Sequence, residues 1–277
     1  MDSTLKLKVK KLLRNPFPES RSHLIIHCAH HKVGTVWFER VLKAIASHYG
    51  LPFIKSDIRA IPPAGPSVYF DDHSKIDLSE LTQPYRGSHM IRDPRDMVVS
   101  GYHYHLWTDE PWANTKISEY GPDISNYWPL LPVNDISHLS YKEYLNSLDR
   151  EDGLMAEIQR ASSVDIRDVM TWNYEDENIL NFKYEDIMQD EEGTFRKIFS
   201  FYGFKEEAVS YCTRKAMEFS FSRQTENDDG KVNEKTHLRS GKLEQWRTEF
   251  SDSHKEYFKQ LHGQDLIELG YETGFDW

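Results

Sequence analysis

Apolar and polar positions follow two rhythms along the chain. Residues 23–29 ("HLIIHCA") form a short apolar run bounded by polar residues, the pattern of a strand buried on both faces. Over residues 35–49 the apolar side chains Val36, Trp37, Val41, Leu42, Ile45 and Ala46 recur at helical spacing, and Gly50 supplies a stop. A second strand is predicted at 67–72 ("SVYFDD"), after the breaker-rich "IPPAGP", and a third at 87–93 ("GSHMIRD"), leading into a helix from about 95 to 107. Residues 107–139 collect Pro, Gly, Asn and aromatic residues and read as a long loop or lid. Helical patterns fill 141–172, a late strand is expected at 179–187 ("ILNFKYEDI"), and a helix follows to about 202. The alternation of strands with helices predicts an α/β fold with a mostly parallel central sheet flanked by helices. With no internal repeat and no clear linker, residues 1–277 read as one domain.

Composition narrows the function classes. A chain of 277 residues with 38% hydrophobic content can bury a substantial core without covalent staples. Its two cysteines, Cys28 and Cys212, cannot build a disulfide framework, which fits a reducing, cytoplasmic setting. No apolar run is long enough to cross a membrane, and residues 1–20 read as a solvated basic arm rather than a leader. A net charge of −11 argues against a general nucleic-acid binder, whose partner needs a broad basic surface. A small anionic ligand remains compatible, provided that donors and positive groups cluster locally.

One such cluster is "HHKVGTVWF" (residues 30–38), where a strand turns into a helix through Gly34. A helix N-terminus offers unpaired backbone N–H groups to an anion, Gly34 lets the backbone approach it, Lys32 brings a mobile charge and Thr35 a hydroxyl. The lysine precedes the glycine, so the pattern differs from the nucleoside-triphosphate loop GxxxxGK[ST]. A second cluster is "IRDPRDMVVSGYHYH" (residues 91–105). Arg92 offers a planar fork to a phosphate and Ser100 a second hydrogen bond, while Pro94 suits a first helical turn. The structural alternative is an ion pair of Arg92 with Asp93 or Asp96. A third stretch, "HLRSGKLEQWRTEF" (residues 237–250), places Arg239, Ser240, Gly241 and Trp246 in a polar loop before a final helix.

Taken together, these stretches resemble the sulfotransferases that use 3'-phosphoadenosine 5'-phosphosulfate (PAPS). The run Lys32-Val33-Gly34-Thr35-Val36-Trp37 is similar to the family's Lys-Ser-Gly-Thr-Thr-Trp loop, which implies that it binds the 5'-phosphosulfate, with Trp37 at the adenine-stacking position. Arg92 and Ser100 match the arginine and serine that hold the 3'-phosphate, Arg239-Ser240-Gly241 with Trp246 matches the late Arg-Lys-Gly…Trp segment, and Tyr184 matches the tyrosine near the adenine. Val33 and Val36 stand where the common loop has hydroxyls, so backbone N–H groups carry more of the anion there. The resemblance implies a P-loop-like sulfotransferase fold, PAPS as co-substrate and 3',5'-adenosine bisphosphate as product, with no metal.

The implied reaction moves a sulfuryl group by in-line displacement to a hydroxyl or amine, with Lys32 stabilising charge beside the bridging oxygen. By the same resemblance the base is a histidine just after a strand, the place of His73; Asp71 and Asp72 are the carboxylate alternatives. The histidines of 27–31 lack a third-ligand spacing, and His103 and His105, two apart on a helix, point to different faces, so no metal is expected. In the 107–139 segment, Trp107, Trp112, Tyr120, Tyr127 and Trp128 beside Asp109, Glu110, Glu119 and Asp123 would suit a cationic or polar ring compound. Ordinary packing of those aromatics is the competing reading. The acceptor expected is a small metabolite, of the kind met in secondary metabolism, rather than nucleic acid, membrane or a long polysaccharide. The rival functions are a P-loop nucleotide or metabolite kinase and a non-catalytic nucleotide-binding protein.

Overall fold

The computed structural model describes residues 15–18, 23–56, 58–220 and 242–277. In chain order the strands are β1 (Leu24–Cys28), β2 (Phe53–Ser56), β3 (Val68–Asp71), β4 (Tyr85–Ile91) and β5 (Ile179–Lys183). Among the described residues the helices of more than one turn are α1 (Thr35–Tyr49), α2 (Pro94–His105), α3 (Tyr141–Ser147), α4 (Arg150–Ser163), α5 (Asp165–Met170), α6 (Tyr184–Gln189), α7 (Glu191–Phe201), α8 (Glu206–Met217) and α9 (Asp252–Glu268). These elements fall into two compact units, one drawn from residues 1–91 and 173–231, the other from 92–172 and 232–277.

The first unit holds all five strands, in the order β2-β3-β1-β4-β5, every pair parallel. Central β1 is buried along its whole length, which is why its sequence is apolar without alternation. Its register pairs Cys28 with Asp71 of β3 on one side and with His89 of β4 on the other. The chain moves from β1 toward β2 on one side of the sheet and later toward β4 and β5 on the other. This reversal marks β1 as the switch point, outside whose carboxyl end α/β proteins bind ligands. Helix α1 buries Trp37, Val41, Leu42, Ile45 and Ala46 of the stripe expected from its spacing, and Phe38 beside them, while Val36 of that stripe is only half-buried. Phe38 stacks on His27 with ring centroids 4.5 Å apart. Gly50, at φ 66°, ends α1 in the left-handed conformation and turns its N–H back to the carbonyls of Ala46 and Ser47.

Two local expectations change here. The strand expected over 179–187 stops at Lys183, and Tyr184 opens α6 instead, because the Asp186 carboxylate accepts the Lys183 backbone N–H at 3.1 Å and caps a helix start. Strand β2 was not foreseen: four residues, only partly buried at the sheet edge, are too few to show a period.

The second unit is helical. Pro94 sits in the first turn of α2, and the Asp93 carboxylate accepts the Arg95 N–H as its cap. Its core gathers Val98, Val99 and Tyr102 of α2 with Tyr141, Leu154, Ile158, Trp246 and Phe258. The 107–139 segment, expected to be a loop or lid, forms three single turns, Pro111–Asn114, Ile117–Tyr120 and Ile124–Tyr127. Its second turn is tied to its end by Ile117 N–H to Leu139 O and Ser118 N–H to Ser137 O, both 2.9 Å. Ile117, Trp128 and Leu131 are buried in this unit's core.

Candidate active site

The loop after β1 is built from its backbone. The His30 carbonyl accepts the Val33 N–H at 3.5 Å and the Thr35 hydroxyl at 3.0 Å, so one oxygen closes the turn from both directions. Lys32 at φ 64° and Gly34 at φ 97° both adopt left-handed backbone. Gly34 caps α1 with no side chain taking the helix's first N–H groups, which leaves that end suited to an anion. A Cβ at Gly34 would come 3.3 Å from the Tyr184 ring, so only glycine lets that ring pack beneath the turn. Tyr184 is itself buried. Thr35 gives its hydroxyl proton to His30, so in this arrangement it faces a ligand with lone pairs rather than as a donor. Val33 and Trp37 lie in the core, and Trp37 meets Phe195 edge-on at 5.5 Å. Val36 is half-buried at the helix start.

The residues after β3 lie beside this turn. The Ala29 N–H donates to Asp71 O at 2.9 Å, and the Ser74 hydroxyl donates to Ala29 O at 2.8 Å. The His73 side chain is 42% exposed, and its ring lies parallel to that of His31 at 6.4 Å. The Asp71 carboxylate is engaged, accepting the N–H groups of Ile76 at 2.6 Å and His73 at 3.2 Å. Burial pushes its pKa up to about 6 against those bonds. Asp72 Oδ2 pairs with Lys55 Nζ at 3.0 Å, and Oδ1 lies 3.9 Å from His73 Nε2. Lys32, Gly34, Thr35, His73 and Tyr184 are therefore gathered in one unit, at the carboxyl ends of β1, β3 and β5.

Beneath the turn lies a buried polar group in which the sequence patterns marked only His27 and His30, weighed there as metal ligands, and not their partners Ser88, His89, Asn181 and Tyr202. His30 Nε2 is 2.8 Å from His89 Nε2, and His89 Nδ1 is 3.0 Å from Asn181 Oδ1. Next to them, His27 Nδ1 meets Ser88 Oγ at 2.7 Å, and Ser88 Oγ meets Tyr202 OH at 2.6 Å. Burial, reinforced by the mutual repulsion of neighbouring rings, drives the pKa of His27 down to about 3 and holds that of His30 well below its usual value. Burial takes His89 to about 3 as well, against the pull of Asn181. The available signal was a polar residue at a fully buried position of each strand, His27 in β1 and His89 in β4.

In the second unit Arg92 is buried and its Nη2 lies 3.4 Å from Asp96 Oδ2, the ion pair weighed as its structural alternative. A guanidinium carries five N–H donors in a planar fork, and Asp96 is one of the groups that orient it. Asp96 Oδ1 accepts the Trp246 N–H at 3.1 Å, which brings the late tryptophan to the start of α2. Burial raises the Asp96 pKa, with Arg92 pulling it back. Ser100 follows two turns along α2, half-buried. The neighbouring Arg95 was not foreseen as important. It makes two bonds to Asp93, at 3.0 and 2.8 Å, and one to Glu272 at 2.6 Å, with its guanidinium 3.8 Å from the Trp246 ring and 4.5 Å from Trp277. Arg239, Ser240 and Gly241 lie outside the described residues.

His103 and His105 part company as their spacing implies: His103 Nε2 lies 3.3 Å from Glu249, and His105 Nδ1 lies 2.9 Å from buried Glu157. Among the described residues no three His, Cys, Asp or Glu side chains are grouped to hold a metal ion. Trp112 and Trp128 pack against Tyr141, whereas Tyr120 and Tyr127 are 38% and 48% exposed. Glu110 is bonded to Tyr104 OH at 2.8 Å and to Trp112 Nε1 at 2.6 Å. Among the described residues no helix is long and apolar enough to cross a membrane.

Residues 88–270 match the sulfotransferase domain family model. The chain is 23% identical over 297 residues to mouse sulfotransferase 2A1, covering 96% of this chain and 91% of the relative. It is 22% identical over 293 residues to mouse sulfotransferase 2A2, with the same coverage. Among solved structures, a mouse sulfotransferase complexed with PAP shares the fold, with a TM-score of 0.51, 16% identity, and coverage of 95% of this chain and 91% of that one.

Proposed function

The chain belongs to the sulfotransferase family, and we propose that it transfers the sulfuryl group of PAPS to a hydroxyl or amine of a small-molecule metabolite. The observation that carries the reading is the turn after β1: Gly34 at φ 97° exposes the first N–H groups of α1 beside Lys32, with Tyr184 packed beneath. Those N–H groups and Lys32 would hold the 5'-phosphosulfate. Arg92, oriented by Asp96, and Ser100 would serve the 3'-phosphate, together with Arg239, Ser240 and Gly241. Mouse relatives of matching length are sulfotransferases, and the solved neighbour holds PAP. The family match spans residues of both units, which supports reading 1–277 as one sulfotransferase domain.

In the proposed reaction an acceptor oxygen or nitrogen attacks sulfur in line. The bond from sulfur to the bridging oxygen breaks, its electron pair stays with the departing bisphosphate, and the acceptor proton passes to a base. Lys32 stabilises the charge growing on the bridging oxygen. His73 is the base we assign, because its ring is exposed while Asp71 is engaged by backbone N–H groups and Asp72 by Lys55. Asp72, 3.9 Å from His73 Nε2, steadies the imidazolium once formed. The exposed Tyr120 and Tyr127 would suit an acceptor that is a cationic or polar ring compound, and the buried free thiols of Cys28 and Cys212 suit the cytoplasm. The test is an acceptor screen with sulfur-labelled PAPS. Turnover should fall about 100-fold or more in His73→Ala, within the usual range for a general base, and far less in Asp71→Asn. Turnover that tolerates His73→Ala would remove that assignment, and bisphosphate binding with no turnover on any acceptor would favour a non-catalytic binder.

A further inference from the structure

Four groups in the first unit are joined by hydrogen bonds whose directions follow from their chemistry. The Asn181 amide donates from Nδ2 to the Tyr174 carbonyl at 3.2 Å, which turns its Oδ1 toward His89. Oδ1 can only accept, so His89 Nδ1 carries the proton of that 3.0 Å bond. A neutral imidazole has one N–H, so His89 Nε2 is a lone pair, and the 2.8 Å contact requires His30 to carry its proton on Nε2. Both rings are buried, at 0% and 2% exposure, where an unmatched polar atom is costly. Their low pKa values agree with two neutral rings. The chain crosses the sheet from β5 through β4 to the residue after Ala29 and ends on the turn itself. There the carbonyl of His30 holds Val33 and Thr35 and so sets where the N–H groups of residues 34–36 point.

We propose that His89 is a positioning residue for the donor site: by accepting the His30 Nε2 proton it fixes the turn of residues 30–35 in the conformation that binds the phosphosulfate. This rests on the reading of that turn as the donor site. An acceptor at this point is what matters, not a ring. His89→Leu removes it and leaves a buried N–H of His30 unmatched, whereas His89→Gln can present its amide oxygen near the position of Nε2.

The experiment measures binding of 3',5'-adenosine bisphosphate by calorimetry to the full chain and the two variants, with histidine nitrogen NMR of the wild type. The expected result is at least tenfold weaker binding in His89→Leu, a change of about 1.4 kcal/mol, with affinity restored to within about threefold in His89→Gln. Donor KM should rise more than kcat falls, since the acceptor chemistry is untouched. NMR should show His89 protonated on Nδ1 and His30 on Nε2. Wild-type affinity in His89→Leu, equal loss in both variants, or the opposite tautomers would overturn the inference. Should His89→Leu not fold, Asn181→Leu, which frees the tautomer of His89, carries the same expectation of loss. A wild type that does not bind the bisphosphate overturns the donor-site reading itself, and that outcome is distinct from binding that His89→Leu leaves unchanged.

Discussion

Lowering the pH from 7 to 5 should destabilise the fold through its buried histidines. The pKa values of His27 and His89 stand at about 3 when folded, against an ordinary 6.5. As pH falls, the unfolded chain binds protons at these rings before the folded one does, so the stability they confer is complete above 6.5 and is lost between about 6.5 and 3. At pH 5 each ring costs about 2 kcal/mol relative to pH 7. Asp71 acts in the opposite sense, because its folded pKa of about 6 exceeds the ordinary 3.8, and it returns about 1.3 kcal/mol over the same interval. Glu157, held at about 2 against an ordinary 4.5, enters only at lower pH. The three groups together give a net loss of about 2.5 kcal/mol, to which His30 adds in the same direction. Urea denaturation followed by tryptophan fluorescence at the two pH values, in 150 mM salt to screen the acidic surface, reads it directly. His89→Gln, with one fewer titrating ring, should shrink the pH difference by about 2 kcal/mol. Equal or greater stability at pH 5, or a pH difference that His89→Gln does not change, would refute the reasoning.

Three further outcomes follow from particular contacts. Gly34→Ala should abolish bisphosphate binding and cost about 1–2 kcal/mol of stability, since φ 97° strains any L residue and its Cβ meets Tyr184 at 3.3 Å; calorimetry and urea midpoints check both. Arg95→Leu should destabilise the second unit by about 3 kcal/mol, because Asp93 and Glu272 lose their shared guanidinium and Trp246 and Trp277 the cation between them; tryptophan-monitored denaturation would show it. Cys28 and Cys212 should not react with a thiol reagent in the native protein, as burial pushes the first thiol well above and the second up to about 12; rapid labelling without denaturant would contradict this.

How much of this was legible depended on how local the signal was. The helix over 35–49 and its glycine stop match α1 and Gly50, because helical spacing and a left-handed C-cap are written in adjacent residues. The strand around Tyr184 was drawn too long, because one carboxylate, Asp186, switches the chain from strand to helix where the apolar run continues. The strand-to-helix turn carrying Lys32, Gly34 and Thr35 was legible from its residue types, and so was the place of His73 just after β3. Arg95 was not: its two aromatic neighbours and Glu272 come from positions about 150 to 180 residues away. The bonds joining His30, His89 and Asn181 were hidden for the same reason, each lying on a different part of the sheet.

Sulfuryl transfer from PAPS requires a site for 3',5'-adenosine bisphosphate, and a thermal-shift titration with that compound, beside ADP and ATP with magnesium, tests it most directly. At about one hundred times the dissociation constant, binding stabilises the folded state by roughly 2.7 kcal/mol, enough to raise the melting temperature by several degrees. The account predicts that rise for the bisphosphate, a much smaller one for ADP, and its loss in Arg92→Ala. A shift produced by ATP with magnesium and not by the bisphosphate would contradict it.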